Sequence, residues 1–348
     1  MLDMVQPPVP DAKFKRLVTQ WAKELGDPLG VGTGPDQHCI NYQIYTMLLD
    51  VGTFRMVKRA VELSSDEKNQ LPRNTLFHRF IVNHYIQVQI ISLRKLTEPR
   101  KKPSKKKDTS VYSLNALVRE ISENRQLFTR HNMFGVRGMC LDAEACAANE
   151  RSRELAIPLG TVSSVHIERS HDAYWVRDMH SKFNELAGFD AHRTAPDDRL
   201  PDALFDYLID ETEWLSWPYD YSNKYVAHAA RDSSRRELPE EHRTLSFEKM
   251  NLTIERLCKL VSFVDTCLVR HTSTYYLPTI TGDPCEYMDR PLVESQHLDD
   301  LRREWRAFDA EVAKWSENPR QWPRGRAPKA PPAAPGTRIV TAGDPATG

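Results

Sequence analysis

Apolar residues recur at three- and four-residue steps along most of this chain, the period of a helix with one buried face. From Asp36 to Leu63 the series runs Ile40, Ile44, Met47, Leu48, Val51, Phe54, Val57 and Val61, until Ser64, Ser65, Asp66 and Pro72 break it. A second helix is predicted from Asn74 to Leu96, with Leu76, Phe80, Ile81, Tyr85, Val88, Ile91 and Leu96 on its buried side and Pro99 as its stop. A third spans Ser113 to Thr129 through Leu114, Leu117, Val118, Ile121 and Leu127. Further on, Ser170–Ala187 and Leu200–Trp214 read as helices, Pro218 as punctuation, and Asp220–Arg231 as a continuation in helical form. Ser233–Arg243 reads as a charged loop, Phe247–Tyr275 as the last long core helix, and Glu294–Trp315 as a strongly charged amphipathic helix. Alternating strand patterns are scarce, so the expected fold is all-α.

Between these elements the pattern weakens. Residues 1–34 begin Pro-rich, hold a short amphipathic piece (Lys13–Leu25) and run into Gly26–Pro35, which suggests an N-terminal arm and linker. Residues 135–200 interrupt the regular helices and read as an insertion with a short helix over Asp142–Leu155. The main helical domain is expected over 35–275, a C-terminal helical extension over 276–318, and a disordered Pro/Ala-rich tail over 319–348.

Composition narrows the function classes. The 48 basic residues cancel the 48 acidic ones, so no global field steers the 348-residue chain onto nucleic acid, and such binding has to come from local clusters. One exists: Arg100, Lys101, Lys102, Lys105, Lys106 and Lys107 form a cationic loop that is either a phosphate-binding run or a solvated connection. Six cysteines show no CxxC spacing, so reduced, mostly buried thiols are expected rather than a zinc or redox motif. No apolar run approaches the roughly 18 residues of a membrane helix. The N-terminus has neither the basic start nor the apolar stretch of a secretion signal, which implies a cytoplasmic protein without membrane partners. His166, His171 and His180 fall in one stretch at spacings that share no helix face, and phosphate-loop, dinucleotide and metalloprotease motifs are missing, so no metal or cofactor is expected.

Two segments resemble a known family. The first is Val88-Gln89-Ile90-Ile91-Ser92-Leu93-Arg94-Lys95-Leu96-Thr97, followed after a polar gap by Val111-Tyr112-Ser113-Leu114 and the helix to Ile121. The second is Ser222-Asn223-Lys224-Tyr225-Val226-Ala227-His228, leading into the helix Leu245–Cys267. Together they resemble the AbiU2-like HEPN family: a Leu-Arg-basic-Leu helix end, a Ser-Leu helix start and an Arg-Asn-Lys-x-x-Ala-His box. The resemblance implies an antiparallel helical bundle, commonly a homodimer, in bacterial phage defence or toxin systems with an antitoxin or other protein partner. Active members cleave RNA without a metal, using a His for proton transfer and an Arg to hold the phosphate.

Here Ser222 stands where the family has Arg, and no Arg falls about four to six residues before His228. On a continuous Asp220–Arg231 helix, Lys224 and Arg231 would share a face with His228 and could supply the cation. The candidate catalytic set is therefore His228, Asn223, Lys224 and Arg231, and the candidate RNA contacts are Arg94 and the loop lysines. Arg73–His78, Arg79–His84, Arg125–His131 and Arg236–His242 also have the motif spacing. Among 12 His, about three such pairs arise by chance, so only the flanking residues single out His228. Trp214, Trp217, Tyr219 and Tyr221 are base-stacking, dimer-contact or core-packing residues. Two functions follow: an RNA-binding or RNA-cleaving protein with a degenerate site, or a non-catalytic module that dimerises or binds a protein.

Overall fold

A computed structural model describes residues 7–26, 38–64, 75–99, 112–147, 172–226, 230–270, 283, 285 and 295–316. Among them the fold is all-α, and the one β-type pairing is an isolated bridge between Thr129 and Arg199. The chain forms two compact units, one from residues 1–23 and 118–209, the other from 24–117 and 210–348.

The first unit contains most of α1 (Ala12–Leu25), the second half of α4 (Leu114–Glu123), α5 (Arg130–Gly135), α6 (Asp172–Ala187) and the start of α7 (Asp202–Trp214). Here the expectation of an N-terminal arm fails. Phe14 and Trp21 are buried, and their rings pack on Phe128, at centroid distances of 5.2 and 5.8 Å, with Phe205 behind it at 5.2 Å. Asp11 caps α1 by accepting from Phe14 N at 2.9 Å, while its own N–H donates to Asn132 Oδ1 at 2.8 Å. The residues before α1 pass so close to Gly135 that a Cβ there would meet Pro8 O at 2.5 Å. Burial of the aromatic stripe makes this segment core. The expected insertion is likewise part of this unit, through α6. The stretch Asp142–Leu155, read as a short helix, is described only as far as residue 147.

The second unit is built on α2 (Ile40–Ser64), α3 (Thr75–Thr97), α11 (Phe247–Phe263, prolonged by a π-turn Val264–Val269) and α12 (Leu298–Ser316), with three short helices introduced below. Ile40, Ile44, Met47, Leu48 and Val51 are buried as their spacing predicts, as are Ile254, Leu257, Leu260, Val261, Val264 and Leu268. Ser113 caps α4 by accepting from Ala116 N, and Ser246 caps α11 by accepting from Lys249 N. The buried face of α3 differs from the expected one. It runs through Tyr85, Ile86, Gln89, Ile90, Leu93, Leu96 and Thr97, whereas Phe80 and Ile91 are exposed. The helix is apolar nearly all round, so hydropathy alone does not fix its orientation. Gln89 shows the true inner face: it is fully buried and donates to Met47 O at 3.3 Å.

Charge is buried in this unit only with partners. Arg256 makes a two-pronged contact with Glu211, with Nε to Oε2 at 3.0 Å, and its guanidinium stacks on Trp214 at 3.8 Å. Asp265, wholly buried, accepts from Arg270 Nε at 2.6 Å and from Asn41 Nδ2 at 3.3 Å. Arg270 and Asn41 both also donate to Gly26 O, so one node ties the end of α1, the start of α2 and the end of α11. The sulfurs of Cys140 and Cys146 lie against each other, and Cys39, Cys258, Cys267 and Cys285 are buried.

Helix α12 crosses α2 at Gly52, where a Cβ would stand 2.5 Å from Trp305 Cζ3 and 3.0 Å from Phe308 Cε1. Gly52→Ala is expected to destabilise the second unit by roughly 1–3 kcal/mol, because the rigid indole has to move. Urea unfolding followed by tryptophan fluorescence measures this, and an unchanged midpoint would show that α12 yields freely.

Candidate functional site

The box residues lie where α8 (Trp217–Tyr221) passes into a π-turn, Ser222–Val226. Pro218 sits in the first turn of α8, where its missing N–H has no helical partner to lose, so it starts this helix instead of punctuating the chain. Trp217 is buried and donates from Nε1 to Thr253 Oγ1 at 3.0 Å, and Tyr221 is buried with its ring stacked on Tyr225 at 4.5 Å. These aromatics are core of their own unit, which removes the sequence argument that they form a dimer interface. Lys249 lies 4.1 Å from the Trp217 ring and donates to Glu241 O and Thr244 O; burial draws its pKa down to about 8.

Ala227, His228 and Ala229 lie outside the described residues, so the candidate acid–base His228 has no geometry to report, and neither do Lys101, Lys102, Lys105, Lys106 and Lys107. The surroundings do have geometry. Arg94, near the end of α3, lies over the Tyr219 ring at 5.6 Å, which brings the Leu-Arg-Lys-Leu segment beside the box. Asn223 is half-buried in the π-turn. Lys224 donates to Ser234 Oγ at 2.5 Å and pairs with Glu237 at 3.5 Å. The continuous helix Asp220–Arg231 is not formed. After the π-turn, Arg231 is extended (φ −61°, ψ 151°) and serves as the N-cap position of α9 (Asp232–Arg236). The expected Ser233–Arg243 loop holds α9 and α10 (Glu240–Arg243). Lys224 and Arg231 therefore do not share a helix face. A π-turn adds a residue per turn and Arg231 has left helical geometry, so counting steps of four misplaces both.

Ser222 is wholly buried, and its Oγ has no hydrogen-bond partner among the described residues. The position that the resemblance assigns to a phosphate-binding cation is thus closed to water. Nearby, His242 Nδ1 meets Asp220 Oδ2 at 3.2 Å, a carboxylate–imidazole pair between α10 and α8 that spacing alone did not distinguish from chance.

The first unit holds a polar centre that motif reading missed. Arg130 is fully buried. Its Nε donates to Ala195 O at 3.2 Å, Nη1 to His180 Nδ1 at 2.9 Å, and Nη2 to Asn184 Oδ1 at 2.6 Å and Asp198 Oδ2 at 3.1 Å. The guanidinium also stacks on Phe183 at 4.2 Å. Asp198 is shared with Arg193, whose Nε donates to Oδ1 at 2.8 Å. A sequence signal for this centre does exist: His180 and Asn184 interrupt the apolar stripe Val176, Met179, Phe183 on α6 at an i, i+4 step. Among the described residues no group of His, Cys, Asp and Glu could hold a metal ion.

These features define an all-α protein in which no described helix is long and apolar enough to cross a membrane. No family model, curated protein or solved structure matches the chain.

Placing an arginine at position 222 is expected to damage the fold before it can restore any phosphate site. Ser222→Arg buries an unpaired cation and should cost at least about 3 kcal/mol, whereas Ser222→Ala removes an unpartnered hydroxyl and should be neutral or stabilising. Thermal melts of the two variants decide this, and a Ser222→Arg protein as stable as wild type would refute the closed site.

Proposed function

We propose that the chain is a HEPN-like helical protein of the abortive-infection or toxin type that binds RNA without cleaving it. The burial of Ser222 carries this reading: the position that should present a cation to the scissile phosphate is sealed. Lys224, the nearest substitute in sequence, is held by Glu237 and Ser234. A lone acid–base residue without a group to offset phosphorane charge loses the largest electrostatic contribution to such a reaction. RNA is favoured over a protein as the partner by charge. Helix α3 contains no Asp or Glu, exposes Arg79, His84 and Lys95, and is followed after Glu98 and Pro99 by the Arg100–Lys107 run. The reading includes the homodimer implied by the resemblance, with light scattering as its check: a monomer at micromolar concentration would remove it.

The purified protein is expected to release no RNA fragments beyond the level of a His228→Ala control; cleavage that depends on His228 overturns the non-catalytic assignment. Binding to a fluorescent single-stranded RNA should weaken steeply with salt. Neutralising Lys101, Lys102, Lys105, Lys106 and Lys107 should flatten the log–log salt slope by up to about 3.5. Absence of RNA affinity at low salt would leave the protein-binding module as the surviving alternative.

A further inference from the structure

We propose that His180 is a proton-operated latch in the first unit, whose protonation releases helix α6 from α5 and from the segment 139–147. The geometry fixes the imidazole in one protonation state. Nδ1 faces the Arg130 Nη1 donor at 2.9 Å and can only accept, while Nε2 lies 2.8 Å from Leu141 O and can only donate. That is the neutral Nε2–H tautomer. A second proton on Nδ1 would set donor against donor and cation against cation in a place closed to water.

The charged groups around His180 do not offset that proton. From α5 comes Arg130; from the segment before residue 148 comes Asp142, whose field favours the charged ring; and from the loop after α6 comes Asp198, already shared by Arg130 and Arg193. Desolvation is the largest influence and lowers the His180 pKa, the Leu141 carbonyl opposes it, and Arg130 lowers it further. The sign follows. Above the ordinary imidazole value near 6.5 both closed and open forms are neutral and the latch is at full strength; as pH falls below that value the open form takes up the proton first, and closure weakens until the lowered folded value is reached. One proton limits the effect to about tenfold in the opening equilibrium per pH unit.

What opening would uncover is defined. Val176 and Met179 of α6 pack with Phe134 of α5 and with Cys140, and the Phe134 ring lies 4.5 Å from the imidazole. Acid therefore exposes a compact apolar surface that neutral pH conceals.

Amide hydrogen exchange on the full chain at about pH 7.5 and about pH 5.5, corrected for intrinsic rates, tests the latch. Amides of α6 and of residues 139–147 should lose several-fold, up to about tenfold, in protection at the lower pH, while those of α2 and α11 keep theirs. His180→Asn retains an acceptor near the Nδ1 position but cannot be protonated, so it should abolish the difference. Equal losses in α6, α2 and α11, or a pH difference that persists in His180→Asn, would overturn the proposal. If that variant does not fold, the wild-type comparison decides alone.

Discussion

Placing a guanidinium out of reach of water obliges the surrounding chain to supply acceptors in the plane of its N–H groups, and Arg130 imposes that obligation on the whole first unit. Its acceptors come from α6 and from the loop that leads into α7, and Phe183 covers its face. Each partner is itself held: Asn184 donates to Ala191 O and Arg193 O, and His180 donates to Leu141 O. Removing any one member strands the others in a dry place, which is why such a network sets a unique arrangement even where its net stabilisation is small. The same logic recurs in the second unit with Arg256 on Glu211 and Arg270 on Asp265.

These buried pairs explain what the sequence made legible and what it concealed. Apolar spacing located α2 and α11 and most of their core residues, because those residues return to one side of each helix at three- and four-residue steps. It misjudged α3, where Phe80, Ile81, Val82 and Ile91 surround the helix and only a buried Gln89 marks the inside. It also treated Lys13–Leu25 as part of an arm, since Phe14, Leu17 and Trp21 form a short stripe whose partner, Phe128, lies more than a hundred residues away. Charged residues are read as exposed by default, so Arg130 carried no hint of burial beyond the two polar interruptions on α6.

The box region was concealed for a different reason. Its residues were expected within one helix running from Asp220 to Arg231, and Arg94 lies over Tyr219 just before them. The backbone, however, departs from α-helical geometry at Ser222, so face relations inferred from a constant step do not hold from there to Arg231. Residue types alone could not show that Ser222 is sealed while Lys224 already has partners, because both facts depend on how α8 packs against α3 and α11.

Both π-turns, Ser222–Val226 and Val264–Val269, close helices that began with ordinary α geometry. A π-turn amounts to one surplus residue accommodated within a helix that keeps its flanking contacts. Here each lies at the end of a helix, so the wider turn changes which side chains share a face from Ser222 and from Val264 onward. A helical wheel drawn at a constant α step through either segment therefore assigns its last side chains to the wrong faces, and with them the neighbours the box is given.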